Sequence, residues 1–503
     1  MALFGKKLVE FKTWHKPNME TLQRTANRGS ISTGVYEIGN SLKLNSANSE
    51  YLSITRDASG SDWNRLLWTA SMWVKHIPTE DTSTAPKERM FGASDAQSDF
   101  DIRFRGQPIG FRNNSDVDGV AELRTSAVYR DYSAWYHVIA VWDTANSTAG
   151  NRMRLYVNGE EVTDFSTDTQ PSVNEKSIWG KKNDGTDGDV VHAIGGYVNA
   201  STGAAQFLNG YLAEVHWVEG SALTPSDFGE TDSDTGIWIP KEYTGSHGTN
   251  GFYLDFSDSS SLGADASANS NNWTLNNIAA ADQSTDTPTN NFCTLNAAVN
   301  FKYTTNGITE GGTEFGDNTG GGIGGAFGTM AVTAGKWYWE VKLTQQSSHY
   351  IGVSAVDDGD NVTASSDPHQ INSSFVFNIA AARIEYINGG SVTAGSLDAF
   401  TDFHSAGDII GIALNMDDNQ ISIYGNGTLQ SGVANTSIYD AANKMVVPLH
   451  GTINDECQYN FGGYSAWTPS SVANDANGYG TFEYSPPSGY YALCTKNLSE
   501  FGG

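Results

Sequence analysis

The sequence predicts an all-β protein built from two tandem antiparallel β-sandwiches, preceded by a short N-terminal anchor segment. Short runs of alternating apolar and polar residues recur along the chain between clusters of Gly, Asn, Asp and Ser, a pattern typical of strands and turns. The composition of 54 glycines and only 17% charged residues also suits a fold with many turns. The 503 residues exceed one ordinary core, because domains average roughly 150 residues.

The N-terminal segment, residues 1–38, is weakly patterned and differs in charge from the rest of the chain. The whole chain has a formal charge of −28 and a pI near 4.5, which disfavours binding to nucleic acid or to anionic lipid. Residues 1–34 instead hold six basic and two acidic side chains. Such a segment either docks on an acidic partner surface or stays solvated. The candidate anchoring residues are Lys6, Lys7, Lys12, Trp14 and Lys16.

The first sandwich is predicted over residues 39–258. Thr224 to Ser226 are predicted to cap one short helical turn after its last long strand. Residues 259–291 are rich in Ser, Asp, Asn and Ala, and we interpret them as a connector that passes from ordered to flexible. The segments with the clearest strand pattern are 41–54, 66–76, 101–105, 136–143, 153–158, 192–197 and 211–218.

The second sandwich, with a C-terminal tail, is predicted over residues 292–503. In KWYWEVKL (336–343), the residues Trp337, Trp339, Val341 and Leu343 fall on one face of a half-buried strand. The glycine-rich segment 310–328 is not a phosphate loop, because no Gly-Lys-Ser/Thr follows and its acidic residues would repel phosphate. We expect a mobile surface loop there.

Two short segments share one pattern, RLYVNGEEV near Asn158 and SIYGNGTL near Asn426. Asn-Gly supplies the positive φ angles that a tight turn between twisted strands needs. We therefore interpret both segments as β-hairpins rather than as a binding motif.

The three cysteines, Cys293, Cys457 and Cys494, do not form a disulfide framework, and we expect free thiols. The similar phrases NFCTLN (291–296) and ALCTKN (492–497) are predicted to lie side by side. The N-terminus lacks the apolar core of a signal peptide, and no apolar run reaches the length of about 18 residues that spans a bilayer. These features suggest a protein made in a cytoplasm, without membrane insertion.

Several ordered motifs resemble known families. WYHVIAVWDTANSTAGNRMRLYVNGEEV (135–162) and FLNGYLAEVHWVEGSALTPSDF (207–228) resemble the laminin-G-like, concanavalin A-like jelly roll, over about residues 40–258. GKWYWEVKL, YIGVSAV, GDIIGIALNMDDNQISIYGNG and VVPLHGTINDECQYNFG resemble, in that family's order, a SPRY domain over about residues 297–464. The resemblance implies two sandwiches whose loops bind ligands.

A third resemblance concerns biological context. GIWIPKEYTGSHGTNGFYLDF, LGADASANSNNWT, DTPTNNFCTLN and YSPPSGYYALCTKNL are similar to segments of phage virion proteins, including tail-fibre and adsorption components. This implies a structural protein of the virion, made in the host cytoplasm and held to tail or capsid proteins by residues 1–38. Its sandwich loops would bind a host surface glycan or protein. A homo-oligomer is expected, a trimer only by analogy with fibres.

Two alternatives stay open: a capsid decoration or head-fibre protein without a receptor, and a polysaccharide depolymerase. Glycosidases need two carboxyl groups that flank the bond. The nearest candidates, Glu214 and Glu219, are five residues apart and so lie on opposite faces of a strand. No Gly-x-Ser-x-Gly or His-Glu-x-x-His motif occurs. We therefore expect no enzyme activity, and we interpret His137, His216 and His450 as packed sheet residues.

Candidate ligand sites follow from loop composition. KKNDGTDGDVV places Asp184, Asp187 and Asp189 in one loop, a possible calcium site because calcium prefers oxygen ligands, although solvated acidic turns are the alternative. No other cofactor is predicted. Aromatic side chains near loops can stack on sugar rings, and Trp179 and Tyr197 are the candidate ligand-binding residues.

Overall fold

The computed structural model confirms the predicted fold class. It describes residues 36–55, 62–78, 87–95, 97–182, 190–199, 201–301, 307–316, 323–345, 349–356, 374–388, 391–394, 405–430, 436–438, 445–453 and 455–502. The candidate anchoring and calcium-binding residues lie outside these ranges: Lys6, Lys7, Lys12, Trp14, Lys16, Asp184, Asp187 and Asp189.

The first sandwich contains the strands that precede residue 285. In chain order they are β1 (Ser41–Leu44), β2 (Tyr51–Thr55), β3 (Leu67–His76), β4 (Lys87–Ser94), β5 (Asp99–Arg105), β6 (Ile109–Ser115), β7 (Gly119–Thr125), β8 (Tyr136–Asp143), β9 (Met153–Val157), β10 (Glu160–Glu161), β11 (Phe165–Thr169), β12 (Val191–Ile194), β13 (Tyr197–Asn199), β14 (Gly203–Ala205), β15 (Gly210–Glu219), β16 (Gly229–Thr231), β17 (Trp238–Pro240), β18 (Phe252–Leu254), β19 (Thr274–Asn276) and β20 (Gln283–Ser284).

Two eight-stranded antiparallel sheets form this sandwich. One has the order β10-β9-β8-β3-β15-β1-β20, with β18 also paired to β15, and the other has the order β11-β7-β6-β5-β4-β12-β2-β19. Their facing side chains make one aromatic-rich core, which includes Trp68, Phe100, Trp142 and Trp217. The predicted helical turn is a 3₁₀ turn at Pro225–Asp227, which Thr224 caps.

The second sandwich contains the remaining strands and one helix. They are β21 (Leu295–Phe301), β22 (Ile308–Thr309), β23 (Glu314–Gly316), β24 (Ile323–Gly328), β25 (Lys336–Leu343), β26 (His349–Val356), β27 (Ser374–Asn378), β28 (Arg383–Asn388), β29 (Ser391–Ala394), β30 (Ile409–Asn415), β31 (Gln420–Gly425), β32 (Thr428–Leu429), β33 (Thr436–Ser437), β34 (Met445–Ile453), β35 (Glu456–Asn460), β36 (Ala473–Asn474), β37 (Thr481–Phe482), β38 (Tyr491–Ala492) and α1 (Thr495–Phe501).

Its two sheets have the orders β21-β24-β34-β26-β27-β28-β29 and β22-β23-β35-β25-β30-β31-β32, and β33 and β38 extend the second sheet. The predicted face of β25 is confirmed, because Trp337, Trp339, Val341 and Leu343 are all in the core. The prediction of a mobile loop over residues 310–328 was wrong for its described part, which contains β23 and β24. Its glycines permit close packing: a Cβ on Gly328 would come within 3.0 Å of both Cys293 and Pro448.

Both Asn-Gly segments are β-hairpin turns, as predicted. Asn158 and Gly159 have φ angles of 50° and 84°, and Asn426 and Gly427 have φ angles of 47° and 78°. β9 continues into β10 through the first turn, and β31 continues into β32 through the second.

The two sandwiches pack against each other. A single apolar cluster joins Trp73, Trp135 and Tyr211 of the first sandwich to the core of the second. The segment predicted as a connector, 259–291, contributes β19 and β20 to the sheets of the first sandwich. The phrases 291–296 and 492–497 meet, because Phe292 bridges to Cys494.

Candidate ligand-binding site

Strands β4 to β7 of the first sandwich carry charged residues on the face turned away from the core, with a buried centre and a partly exposed border. Along β5, the side chains of Phe100, Ile102 and Phe104 point into the core, so Asp101 and Arg103, which alternate with them, point outward. The strand register places the charged residues of β4, β6 and β7 on the same side, except Glu88, which lies opposite the core residue Phe104.

We call this surface the arginine face. In a chain with a formal charge of −28, it carries six basic and only three acidic side chains. Its members are Lys87, Arg89, Arg103, Arg105, Arg112, Arg124, Asp99, Asp101 and Glu122.

Ion pairs neutralise part of the arginine face. Arg103 Nη1 lies 2.7 Å from Asp101 Oδ2, in a pair that is almost fully buried. Arg112 Nη1 donates to both oxygens of Asp99, at 2.8 and 2.7 Å. These bonds hold the guanidinium groups in fixed positions, since hydrogen bonds between charged groups are the stronger ones.

The other end of the arginine face brings like charges together. Lys87 lies directly opposite Arg105 on the neighbouring strand, and Arg89 lies opposite Arg103. Like charges that face each other across strands are destabilising. Partial burial and then Arg103, Arg89 and Arg105 lower the pKa of Lys87. Within the described part of the chain, the buried Nε of Arg103 has no hydrogen-bond partner. Asp101 lies within ion-pair distance of both Arg89 and Arg103, and Glu122 of Arg105, so an anion would act mainly beside Lys87.

Tyr197, a predicted ligand-binding residue, lies at the rim of the arginine face. The guanidinium carbon of Arg89 is 3.7 Å from the centre of its ring, and its hydroxyl donates to Ser94 Oγ at 2.9 Å. Arg89 covers one face of the half-buried ring, so Tyr197 positions Arg89 and closes one side of the site.

Trp179, the other predicted ligand-binding residue, is in the core, which corrects the prediction. Its side chain is 1% exposed, and it stacks on Trp273 with ring centroids 6.2 Å apart. The segment is fixed at the end of the sandwich by a bond from Trp63 N to Gly180 O at 3.0 Å. This places the indole between the two sheets, where no ligand reaches it.

The acidic residues considered for catalysis have structural partners. Glu214 is buried, with a φ of 48°, and it accepts hydrogen bonds from the hydroxyls of Tyr36 at 2.7 Å and Tyr253 at 2.6 Å. Glu219 accepts from the backbone N–H groups of Asn64 at 2.6 Å and Asn250 at 3.0 Å. Each carboxylate thus holds a neighbouring loop in place, and the two do not flank a common cleft.

Sequence reasoning missed the arginine face because it searched the loops for a site. The signal was present in DIRFR (101–105), where charged residues alternate with core residues. A strand in this pattern places its charges on one outer face, but the sequence does not show which strands lie beside it. No described helix is long and apolar enough to cross a membrane.

Comparisons with known proteins identify both sandwiches. Residues 46–227 match the model of the concanavalin A-like lectin/glucanases superfamily, and residues 336–464 match the SPRY domain model. A comparison with curated proteins finds no match. Domains of these two types are typically non-catalytic binding domains.

Solved structures with low similarity to the chain include a SPRY domain, a pair of laminin domains and a pentraxin. The SPRY domain of human HERC1 is 18% identical with a TM-score of 0.20, covering 29% of this chain and 87% of that chain. Mouse laminin alpha1 domains LG4-5 are 8% identical with a TM-score of 0.27, covering 85% of this chain and 90% of that chain. A heptameric SAP-like pentraxin from Limulus polyphemus is 12% identical with a TM-score of 0.24, covering 38% and 80%. Scores this low support no conclusion about function.

From the two family models, the chain carries a concanavalin A-like domain of the laminin G type followed by a SPRY domain.

Proposed function

We propose that the chain is a non-catalytic binding protein of a phage particle, and that the arginine face binds an acidic glycan of the host surface. The observation that carries the proposal is the charge excess of the arginine face, six basic against three acidic side chains in a strongly acidic chain, with Lys87 opposite Arg105 at its more exposed end. Repulsion between Lys87 and Arg105 is relieved when a carboxylate or sulfate group of a ligand lies between them.

A glycan fits this face better than a compact ion does. The accessible cations Lys87, Arg105, Arg112 and Arg124 lie on neighbouring strands β4 to β7, so several acidic sugars in sequence have a cation within reach. The aromatic ring of Tyr197 borders the same face. The concanavalin A-like family includes lectins, which is consistent with a sugar ligand.

The phage context is supported by the phrases that resemble virion proteins. In this proposal residues 1–38 attach the chain to other proteins of the tail or capsid, and the chain acts as a homo-oligomeric tail-fibre or adsorption component. Its location in an intact particle is tested by a density map of the virion. Deletion of residues 1–38 should abolish incorporation, and a deletion variant that still joins particles would contradict the anchoring role.

The ligand is tested by binding of the purified chain to acidic polysaccharide from the host surface. We expect saturable binding that weakens as salt rises, because exposed charges are screened. The double variant Lys87→Glu/Arg105→Glu should bind at least about ten times more weakly, since it reverses the two charges that face each other at the more exposed end of the arginine face.

Lys241→Glu is the control: at an exposed site elsewhere in the first sandwich it changes the net charge by −2, half the change of the double variant, and is compared with the single variant Lys87→Glu. It should leave binding unchanged. If both variants lost binding affinity equally, the loss would be due to net charge and not to the arginine face. No binding by the wild-type chain to any host surface glycan or protein would favour a capsid decoration protein, and release of reducing ends would establish a depolymerase.

A further inference from the structure

Three metal-binding side chains meet in the core of the second sandwich. His349, His450 and Cys457 each offer a ligand atom, and these atoms lie within 4.8 Å of one another. All three residues are 0% exposed. The sequence separates them by up to about a hundred positions, and sequence reasoning assigned His450 to ordinary sheet packing.

The three residues come from both sheets of the second sandwich. His349 begins β26 and His450 lies in β34, two neighbouring strands of one sheet, where His450 is directly opposite Ile351. Cys457 lies in β35 of the facing sheet. The cluster therefore occupies the space between the sheets, and an ion bound there would link them.

The polar atoms of this cluster are incompletely satisfied. Among the described residues, neither ring nitrogen of His349 has a hydrogen-bond partner, and neither does Oδ2 of Asp455. Asp455 Oδ2 lies 3.2 Å from His349 Nε2, close enough for an ion pair but without hydrogen-bond geometry. A buried polar atom without a partner costs free energy, and each such atom in a folded protein requires an explanation.

One of these separations matches that of a tetrahedral ion with nitrogen and sulfur ligands. Zinc bonds of about 2.3 Å to sulfur and about 2.0 Å to nitrogen put the two donor atoms about 3.5 Å apart. Cys457 Sγ lies 3.4 Å from His450 Nε2. The aromatic rings of Phe315 and Tyr459 contact the His450 ring edge to face and form an apolar shell around the cluster. Such shells keep water away from a metal site.

We propose that His349, His450 and Cys457 bind a zinc-like transition-metal ion that connects the two sheets of the SPRY domain. Asp455, between β34 and β35, lies 3.2 Å from His349 Nε2, and its carboxylate would orient the ring so that the other nitrogen faces the ion. The site is structural, because it is buried in the core and away from the arginine face. It is independent of the proposed glycan binding.

Cobalt(II) provides a direct test, since it substitutes for zinc and absorbs light. The full-length chain is stripped with a chelator under folding conditions and titrated with Co²⁺. We expect saturation at one ion per chain, a thiolate-to-cobalt charge-transfer band in the near ultraviolet, and loss of the band when Zn²⁺ is added. A folded chain that gives no such band would overturn the proposal.

Variants assign the band to its ligand. Cys457→Ser should lose the charge-transfer band, whereas the matched controls Cys293→Ser and Cys494→Ser, also buried cysteines of the second sandwich, should keep it. If Cys457→Ser does not fold, retention of the band in both controls still assigns it to Cys457 by elimination. A band that disappears in either control would contradict the assignment. Asp455→Asn should weaken metal affinity roughly 10- to 100-fold, as second-shell changes do.

Discussion

At the scale of single residues, burial decides what a side chain can do. Glu340, on β25, is 0% exposed. Its carboxylate accepts hydrogen bonds from the backbone N–H groups of Glu483 and Tyr484, each at 2.8 Å. Burial raises its pKa to about 7, although the hydrogen bonds to the carboxylate oppose this shift. The group therefore titrates near neutral pH, where an ordinary glutamate is fully ionised.

This pKa predicts how stability depends on pH. Because the folded chain holds a proton on Glu340 that the unfolded chain releases, the free energy of unfolding should fall as pH rises from about 4.5 to about 7. The loss is at most roughly 3 kcal/mol. Urea denaturation of the full chain across this pH range measures it.

The control for this prediction is a pair of variants. Glu340→Gln should have a flatter pH profile and lower stability, because its amide group faces a backbone donor. Glu161→Gln changes an exposed glutamate of the first sandwich and should keep the wild-type profile. If Glu340→Gln kept the wild-type dependence of stability on pH, that dependence would come from other titratable groups.

Residue-level predictions from sequence succeeded where alternation alone determines position. The core face of β25 was identified because apolar residues alternate there without interruption. Trp179 was misassigned because a large aromatic residue in a short loop has no periodic pattern, and its position depends on which strands the loop covers. His349, His450 and Cys457 were not grouped, since their proximity depends on the pairing of distant strands.

At the scale of elements, the asparagines of the two Asn-Gly hairpins make the same hydrogen bonds to an adjacent strand. Asn158 N donates to His137 O at 2.9 Å, and the Asn158 side chain accepts from His137 N at 2.8 Å. Asn426 makes the same two bonds with Ile409, both at 2.8 Å. Each asparagine thus adds one residue to the hydrogen bonding between its own strand and the adjacent strand.

The turns predict an order of stability among variants. Asn158→Gly and Asn426→Gly keep the positive φ at no steric cost and lose the side-chain bond to the adjacent strand, so each should cost about 1 kcal/mol. Asn426→Gly also loses an exposed bond from Nδ2 to Asp408 Oδ1. Asn158→Ala and Asn426→Ala also acquire backbone strain and should cost about 2–3 kcal/mol. Chemical denaturation compares the four variants. Equal costs for Ala and Gly at either site would contradict a strained turn there.

An aromatic ring covers each turn. A Cβ on Gly159 would lie 2.5 Å from the indole of Trp238, and one on Gly427 would lie 2.5 Å from the ring of Tyr484. The sequence predicted the turns, since Asn-Gly between alternating runs is a strong local signal. It did not predict the covering rings, because Trp238 and Tyr484 are distant in sequence and their approach is a property of the packed chain.

At the scale of the whole molecule, buried lysines hold the sandwiches and the segment between them together. Lys75 of β3 donates to Asp286 and to Asn291, each at 2.7 Å. Trp135 donates to the other oxygen of Asp286 at 3.0 Å. Burial raises the pKa of Asp286, although Lys75 opposes the shift. A buried carboxylate that depends on one cation makes this contact sensitive to substitution.

Removing that cation should destabilise the whole chain. Lys75→Met leaves Asp286 buried without its partner, and the free energy of unfolding at pH 7 should fall by roughly 3–5 kcal/mol. Adding Asp286→Asn should recover part of the loss, because it removes the unpaired charge. Urea denaturation followed by tryptophan fluorescence measures both changes, with the exposed Lys241→Met as control. No recovery in the double variant would mean that Lys75 acts through packing alone.

The domain organisation was predictable from sequence to the extent that strand patterns are continuous. The alternating runs and the ordered motifs predicted two sandwiches in the observed order. The packing between the two sandwiches could not be predicted from the sequence. Lys43, Lys75 and Tyr211 lie in strands whose alternating pattern is the same whether the outer face contacts water or another domain.

Lys43 has a consequence for the order of events during synthesis. Its ammonium group contacts Glu50 of the first sandwich at 3.4 Å, Asp282 of the segment between the sandwiches at 2.7 Å, and Glu310 of the second sandwich at 2.7 Å. Burial lowers the pKa of Lys43, but the three carboxylates more than offset this and hold it above its ordinary value. Chains emerge from the ribosome N-terminus first. Lys43 therefore lacks one of its partners until residue 310 has been synthesised. The first sandwich can complete its fold only after the chain has been extended beyond the last strand of that sandwich.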